Sequence, residues 1–344
     1  MNVALIAAFA ALVAVSVAQA SVIQSVADTI PQKQDASYER LVAAANAVVG
    51  VKVKALPNAR SNATLGEERT GSGVVIGKDG LVLTIGYLIV EADSVSITDT
   101  DGSEVPASVV AYDHATGFGL VKPLGPLPMV ARPIKLGTAK PVNQLDRLMI
   151  VTGGEEQNIS IATVVSKREY AGYWEYMIDD AIFTAPARFD HSGAALINKE
   201  GELVGIGSLF VMDALTPGEK LPGNMFVPVD LLKPVLEDLV KTGAQPESKR
   251  PWLGVNSLEE DGRVKVMQVN EESPAAEAGI VAGDIILGIN GEPVDSLERF
   301  YRALWTRGPA GVDVVLTVLH GPQARTVTVR SIDREAFMRK RPSV

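Results

Sequence analysis

A serine between a histidine and a glycine is the first feature of the chain that could do chemistry. Ser192 follows Asp190 and His191, and it precedes Gly193 and an apolar run at residues 194–197. A serine hydroxyl becomes a nucleophile only when a base takes its proton and a carboxylate holds that base in one tautomer. Whether the chain is an enzyme therefore depends on the partners of Ser192. Without them, Ser192 is a small hydroxyl in a turn.

Candidate bases for Ser192 are few. His191 is adjacent in sequence, but neighbouring side chains on an extended or tightly turning segment point apart. His114 is more typical of a turn residue. A serine–lysine pair with Lys167 or Lys199 is conceivable, although no motif supports either residue. The local sequence thus offers no clear base.

Composition excludes several classes of function. The chain has no cysteine, which excludes disulfides and thiolate chemistry. Its three histidines, including His320, are too scattered to form a metal-binding pair, so we predict no metal and no other cofactor. The formal net charge of −9 argues against nucleic acid or anionic lipid as the main partner.

The first twenty residues are typical of a secretory signal. They carry no charged side chain, and an almost unbroken apolar run at residues 3–17 precedes Ala18-Gln19-Ala20. The apolar run is shorter than the ~20 residues that span a bilayer, so we predict cleavage after Ala20 rather than a retained anchor. No later segment is apolar enough to cross a membrane. The mature chain is therefore expected in the periplasm or secreted.

From residue 48 the sequence indicates many short strands. β-branched runs alternate with turn residues, as closed barrels or a sandwich require. Two connections, Lys78-Asp79-Gly80 and Lys199-Glu200-Gly201, have the glycine that tight hairpin turns favour. The strand-like runs are 48–53, 72–76, 81–84, 94–98, 106–112, 118–122, 147–152, 159–165, 177–184, 194–197, 203–208 and 225–227.

A helix and a linker end the β-rich part. We predict a helix that Asp230 caps, that carries apolar residues at helical spacing up to Val240, and that Gly243 closes. Residues 242–249 are typical of a linker. An α/β module follows, with a helix predicted to begin at an Asp295 cap.

The module resembles a PDZ domain of the bacterial protease-associated type over about 85 residues. The resemblance implies that a peptide C-terminus adds as a strand beside a helix, with its carboxylate held by loop amides. Gly254 permits the close backbone approach. The matching motifs are Ser273-Pro274-Ala275-Ala276, Gly283-Asp284-Ile285-Ile286 and Asn290-Gly291, and the predicted peptide-binding residues are Trp252, Leu253, Gly254, Val255, Phe300 and Leu304. For any one of these side chains, a core role is the alternative.

The β-rich part resembles the HtrA/DegP family of periplasmic serine proteases, and the similarity spans roughly residues 46–332. The resemblance implies a mainly β fold, in which a trypsin-like double β-barrel precedes the PDZ-like α/β domain. The segments that carry it are Gly71-Ser72-Gly73-Val74, Leu83-Thr84, Ala111-Tyr112-Asp113, the region 190–206 and Asn224-Met225-Phe226-Val227-Pro228.

Three positions depart from the family pattern. Tyr87 stands where the base belongs, and a phenol with a pKa near ~10 has no general-base power at neutral pH. Gly117 stands where the carboxylate belongs. Asp190 replaces a glycine of the oxyanion hole, where a Cβ and a negative charge both disfavour the transition state. Losing the triad as a unit costs on the order of 10⁶ in turnover, so we predict that Ser192 is vestigial.

The resemblance also divides the chain. We predict a signal peptide at 1–20, a leader with a short helix at 21–45, the double barrel at 46–243, a linker at 244–251, the PDZ domain at 252–332 and a tail at 333–344. An aromatic cluster of Tyr170, Tyr173, Trp174 and Tyr176 is interpreted as barrel core and loop packing, or as an interaction patch if it is exposed.

The leading hypothesis is a proteolytically inactive HtrA-like protein that binds exposed C-termini or unfolded segments as an adaptor, chaperone or regulator. One alternative is an active serine endopeptidase that uses Ser192 with a non-standard base. A second alternative is a structural subunit that assembles with an intact paralogous protease. The sequence leaves a homo-oligomer open: family members commonly form trimers through the first barrel and leader, but this leader has one aromatic residue, Tyr38.

Overall fold

The computed structural model describes residues 35–127, 132–243 and 249–340. The signal peptide, most of the leader and most of the linker lie outside these ranges. Helix α1 spans Asp35–Ala45, within the predicted leader. Residues from Ala43 onward belong to one compact unit.

The first barrel closes through six antiparallel strands in the order β1-β2-β3-β6-β5-β4. Their β-branched residues face a common interior, where side chains such as Val74, Leu83 and Leu120 are fully buried. The strands are β1 Val48–Ala55, β2 Glu68–Val75, β3 Val82–Ile85, β4 Ala92–Thr98, β5 Glu104–Tyr112 and β6 Phe118–Pro123, with short helices α2 Asn62–Leu65 and α3 Gly86–Ile89.

The second barrel repeats this plan in the order β10-β11-β12-β9-β8-β7. Its strands are β7 Arg147–Val151, β8 Ile159–Gly172, β9 Tyr176–Ala185, β10 Ala195–Ile197, β11 Leu203–Val211 and β12 Gly223–Pro228. β8 runs seven residues beyond its predicted end at 165, so β8 and β9 form a long hairpin that turns at residues 173–175.

The helix after the barrels is shorter than predicted. A 3₁₀ turn spans Val229–Leu231, and helix α4 spans Leu236–Thr242 before a left-handed Gly243. The Asp230 carboxylate does not cap this helix, because it accepts hydrogen bonds from the Thr138 hydroxyl at 2.7 Å and the Ala139 amide at 2.6 Å. The carboxylate thus fastens a barrel loop instead.

The carboxy-terminal module has a sheet of order β14-β15-β16-β18-β19, with β17 paired to β16, and a separate β13-β20 pair. Its large helix begins one residue later than predicted, because Ser296 rather than Asp295 accepts the capping bond from the Arg299 amide. The elements are β13 Pro251–Trp252, β14 Val255–Glu260, β15 Arg263–Val269, α5 Pro274–Glu277, β16 Ile285–Ile289, β17 Glu292–Pro293, α6 Leu297–Trp305, β18 Asp313–His320, β19 Gln323–Arg330, β20 Ile332–Asp333 and α7 Arg334–Phe337.

The described part of the predicted tail, residues 333–340, packs against the rest of the protein. The Phe337 ring packs against Trp252 and lies under the Arg60 guanidinium, and the Arg339 amide donates to the Glu91 carboxylate at 2.7 Å. In the described ranges, no helix is long and apolar enough to cross a membrane. The architecture of two β-barrels and an α/β module confirms the predicted fold class.

Candidate functional site

The Ser192 loop is held tightly between the two barrels. The Ser192 carbonyl accepts from the Ser72 amide at 2.8 Å, and the Gly193 amide donates to the Gly207 carbonyl at 2.9 Å. Gly193 has a φ of 75°, and a Cβ there would lie 1.9 Å from the Ser72 carbonyl oxygen. Glycine is therefore required at this position for both conformation and space.

Tyr87 lies directly beside Ser192. It is the second residue of α3, which follows β3 and brings the phenol across to the second barrel. The Tyr87 hydroxyl is 2.8 Å from Ser192 Oγ and 2.7 Å from the Ser208 carbonyl oxygen. A carbonyl oxygen only accepts and a phenol has one proton, so Tyr87 donates to Ser208 when both bonds form. The Ser192 hydroxyl is then the donor in the other bond.

The electrostatics of this pair oppose nucleophile activation. Burial raises the pKa of Tyr87 well above its usual range, and the hydrogen bond with Ser192 offsets this only in part. A neutral phenol oxygen has almost no affinity for a second proton. Tyr87 therefore orients the Ser192 hydroxyl but cannot take its proton at neutral pH.

Gly117 has no room for the carboxylate that the resemblance places there. Its φ is 81°, and a Cβ would come within 2.8 Å of the Tyr176 hydroxyl oxygen. That hydroxyl donates to the Thr116 carbonyl at 2.9 Å. A tyrosine from the second barrel thus fills the space next to the position that would orient a base.

Asp190 is exposed at the side of the Ser192 loop and pairs with Arg188. Arg188 Nε lies 2.9 Å from one Asp190 carboxylate oxygen, and Arg188 Nη2 contacts the other. The sequence argument that this carboxylate repels a developing oxyanion is therefore weaker than expected, because the guanidinium compensates the charge. Arg188 is itself fixed by the Ser160 hydroxyl at 2.8 Å.

Both candidate histidines are partly buried. His191 Nδ1 lies 3.0 Å from the Arg188 carbonyl oxygen, and burial lowers the pKa of the ring. Burial lowers the pKa of His114 to about 3, and its ring packs on Tyr112. Both rings are therefore uncharged at neutral pH.

The two candidate lysines contact residues other than Ser192. Lys167 donates to the Ala139 carbonyl at 3.0 Å, and Lys199 is exposed beside Glu200. In the part of the chain that the structure describes, no imidazole or amine is hydrogen-bonded to Ser192 Oγ.

The second candidate site is the loop of residues 252–255 in the carboxy-terminal module. Its amides converge on one carboxylate, that of Glu175 at the tip of the β8–β9 hairpin. Leu253 N lies 3.0 Å from Glu175 Oε2, while Gly254 N and Val255 N lie 2.7 and 3.0 Å from Oε1. Gly254 has a φ of 88°. The loop thus has the geometry of a carboxylate-binding site.

The predicted pocket residues of this module are buried. Phe300 and Leu304 on α6 are fully buried and pack in one apolar cluster with Leu253 and Val255. Met177, from the second barrel, belongs to the same cluster. In the structure, these side chains therefore have the core role that the sequence left open as the alternative.

Sequence reasoning missed Glu175. An acid within an aromatic cluster, between Trp174 and Tyr176, was the available signal. Tyr176 is buried and Tyr173 is about half exposed, so the cluster is neither purely core nor purely surface. Its residues line a cavity of about 500 Å³ that also reaches Tyr87.

The fold and these two sites define a serine-protease-like double barrel joined to a PDZ domain. The family model for a trypsin-like peptidase domain matches residues 71–206, and the model for a PDZ domain matches residues 251–330.

Relatives share this organisation. A probable periplasmic serine endoprotease, DegP-like, from Pseudomonas putida (strain GB-1) is 30% identical over 242 residues, 65% of this chain and 48% of the relative. The chain thus spans about half the length of its DegP-like relatives. The serine endoprotease DegS of Haemophilus influenzae is 28% identical over 80% of this chain and 81% of its own length.

Solved structures show the same fold. The HtrA-type protease AlgW with decapeptide superposes with a TM-score of 0.53 at 21% identity, covering 89% of this chain and 99% of that one. A serine endoprotease from Yersinia pestis gives a TM-score of 0.52 at 23% identity, covering 88% and 99%. A trypsin-like peptidase domain followed by a PDZ domain is the organisation that this chain shares with these DegP-like, DegS and HtrA-type proteins.

Proposed function

We propose that this protein is an HtrA-type protein without proteolytic activity at Ser192, which binds protein C-termini or unfolded segments through its PDZ domain. It acts outside the cytoplasm as an adaptor, chaperone or regulator. The names of the DegP-like relatives and the apolar amino terminus support this location.

The contact between Tyr87 and Ser192 carries the proposal. At 2.8 Å the phenol occupies the place of a base, but it is protonated at any physiological pH and donates to the Ser208 carbonyl. Catalysis by such a serine requires a group that accepts its proton in the transition state. Tyr87 cannot serve, and Gly117 leaves no carboxylate to support a substitute.

Peptide binding is supported by the three converging amides of residues 253–255. Backbone N–H groups in this arrangement recognise the terminal carboxylate of a peptide that adds as a strand. AlgW, whose structure superposes on this chain, was solved with a decapeptide. In this chain, the resemblance assigns peptide binding to the loop of residues 252–255 and the adjoining strand β14.

Activity can be tested with a fluorophosphonate probe and with casein as substrate. The purified mature protein, its Ser192→Ala variant and an intact DegP-like relative would be compared. We expect the relative alone to be labelled and to degrade casein. Labelling of this protein that disappears in Ser192→Ala would establish the alternative, an active endopeptidase with a non-standard base.

Partner capture tests the remaining role. The mature protein would be cross-linked in its native envelope and the adducts identified by mass spectrometry. Recovery of diverse chain termini supports an adaptor or chaperone. Recovery of one intact paralogous protease in constant ratio would instead favour a structural subunit.

A further inference from the structure

The β8–β9 hairpin lies where a peptide ligand of the PDZ domain would lie. The edge strand β14 and the helix α6 form the two walls of such a groove. The Ser257 amide on β14 donates to the Tyr173 carbonyl at 2.8 Å, which is a strand-like bond to the hairpin. From the other wall, the Tyr301 hydroxyl donates to the Gly172 carbonyl at 2.7 Å. Both walls therefore hold the hairpin.

The Glu175 side chain supplies a carboxylate in the place of the one at a peptide C-terminus. It is buried, and its oxygens accept hydrogen bonds from the amides of Leu253, Gly254 and Val255 at 2.7 to 3.0 Å. Three amides aimed at one carboxylate match what a C-terminal carboxylate would receive. No amide of this set is left over for a second carboxylate while Glu175 is in place.

The backbone at Glu175 is strained in a way that this contact explains. Its φ is 55°, a left-handed conformation that favours glycine at the end of a three-residue hairpin turn. A glutamate there persists only when its surroundings hold it. The surroundings are the loop amides and the Tyr301 hydroxyl oxygen, which accepts from the Glu175 amide at 3.2 Å.

We propose that the hairpin of residues 172–176 is an intramolecular ligand of the PDZ domain and that an external C-terminus binds by displacing it. The inference deepens the proposed peptide binding and rests on it. Displacement would also move Tyr176, whose hydroxyl bonds to the Thr116 carbonyl beside Gly117. Occupancy of the PDZ loop is thereby coupled to the aromatic cavity next to Tyr87.

Fluorescence polarisation of the mature protein tests the displacement. The probes are four fluorescein-labelled decapeptides that end in Val, Leu, Phe or Ala, each as a free acid and as a C-terminal amide. Glu175→Ala is the test variant and Glu175→Gln a second variant that keeps the side-chain size. Asp180→Ala is the matched control, because Asp180 is an exposed acid on β9 with the same φ of 55°.

We expect Glu175→Ala to bind at least one free acid tenfold or more tightly than the wild type and Asp180→Ala do, with a smaller gain for Glu175→Gln. Neither the wild type nor any of the three variants should bind the amidated peptides. Equal affinity of wild type and both Glu175 variants for a free acid would overturn the internal ligand.

Hydrogen exchange separates this inference from the proposed function. The amides of residues 253–255 should exchange at least tenfold faster in Glu175→Ala than in the wild type, and Asp180→Ala should leave them unchanged. If they exchange faster but no variant binds any peptide, the internal contact stands and peptide binding is overturned. Unchanged exchange in both Glu175 variants would overturn the internal contact itself.

Discussion

The Ser192 loop and the loop of residues 252–255 differ in what surrounds their functional groups. At Ser192 a phenol and a glycine stand at the positions of the base and the carboxylate. At residues 253–255 the binding groups are all present, but Glu175 from the same chain takes them up. The first site lacks the side chains of a base and a carboxylate, and the second is occupied by a side chain of the same chain.

This difference decides which site a conformational change could make available to a ligand. A missing general base cannot be restored by a conformational change, whereas an internal ligand can leave. Two of the residues that close the sites, Tyr176 and Glu175, are neighbours on one hairpin. The region that blocks the PDZ loop therefore also fills the space beside Gly117.

The largest expected difference concerns variants designed to restore catalysis. We expect Tyr87→His alone, and Tyr87→His with Gly117→Asp, to stay on the order of 10⁶ below an intact relative in casein turnover. Tyr176 fills the space that the new carboxylate needs, and Gly117 has a φ of 81°. Turnover within tenfold of the relative in the double variant would show that the two sites differ less than the geometry indicates.

A glycine substitution in the PDZ loop should have the next largest effect. In Gly254→Ala a Cβ would lie 2.3 Å from Ser273 Cβ at a φ of 88°. Overpacking and backbone strain together should lower the free energy of unfolding by roughly 2–4 kcal/mol. Urea unfolding measures this. Gly279→Ala is the control, because its φ is 76° but nothing lies within 4 Å of the added Cβ, so strain of about 1 kcal/mol alone is expected.

The pH dependence of stability should reveal Glu175. Burial raises its pKa to about 7 from 4.5, although three backbone hydrogen bonds oppose the shift. Below pH 4.5 the Glu175 carboxyl is protonated in both the folded and the unfolded state, so its contribution to the free energy of unfolding is complete. Between pH 4.5 and 7 only the unfolded state releases it, and stability falls by up to roughly 3 kcal/mol.

The measurement is the free energy of unfolding of wild type minus that of Glu175→Gln from pH 4 to 8. His114 has the opposite effect, since its pKa of about 3 makes the fold less stable as pH falls below 6.5, but it is common to both proteins and cancels. A difference that grows with pH instead of shrinking would mean that the loop amides outweigh burial.

The smallest effect should come from Ser192→Ala. Tyr87 keeps its bond to the Ser208 carbonyl, so the loss is one hydrogen bond of about 0.5–1 kcal/mol. Thermal unfolding measures the stability, and peptide affinity should not change. A peptide affinity altered more than twofold would link the two sites through Ser192 rather than through the hairpin.

Strand-like runs and glycine turns are local signals, and they indicated β-barrels or a sandwich. The resemblance to HtrA proteins supplied the double barrel, the PDZ domain and their order. It also singled out Ser192, Tyr87 and Gly117. It could not predict the Glu175 contact, since that bond joins residues 78 positions apart and depends on how far β8 extends. The capping roles assigned to Asp230 and Asp295 were wrong. Asp230 accepts hydrogen bonds from a distant loop at Thr138, and the adjacent Ser296 caps the helix in place of Asp295.

The chain has three tryptophans, and all three lie around the Glu175 contact. Trp174 is in the hairpin and stacks on Tyr176, Trp252 precedes the loop amides, and Trp305 on α6 stacks on Tyr301. The protein thus carries a tryptophan at each side of this junction, and no tryptophan elsewhere in the chain. Its emission spectrum should report the docking of the hairpin without any label.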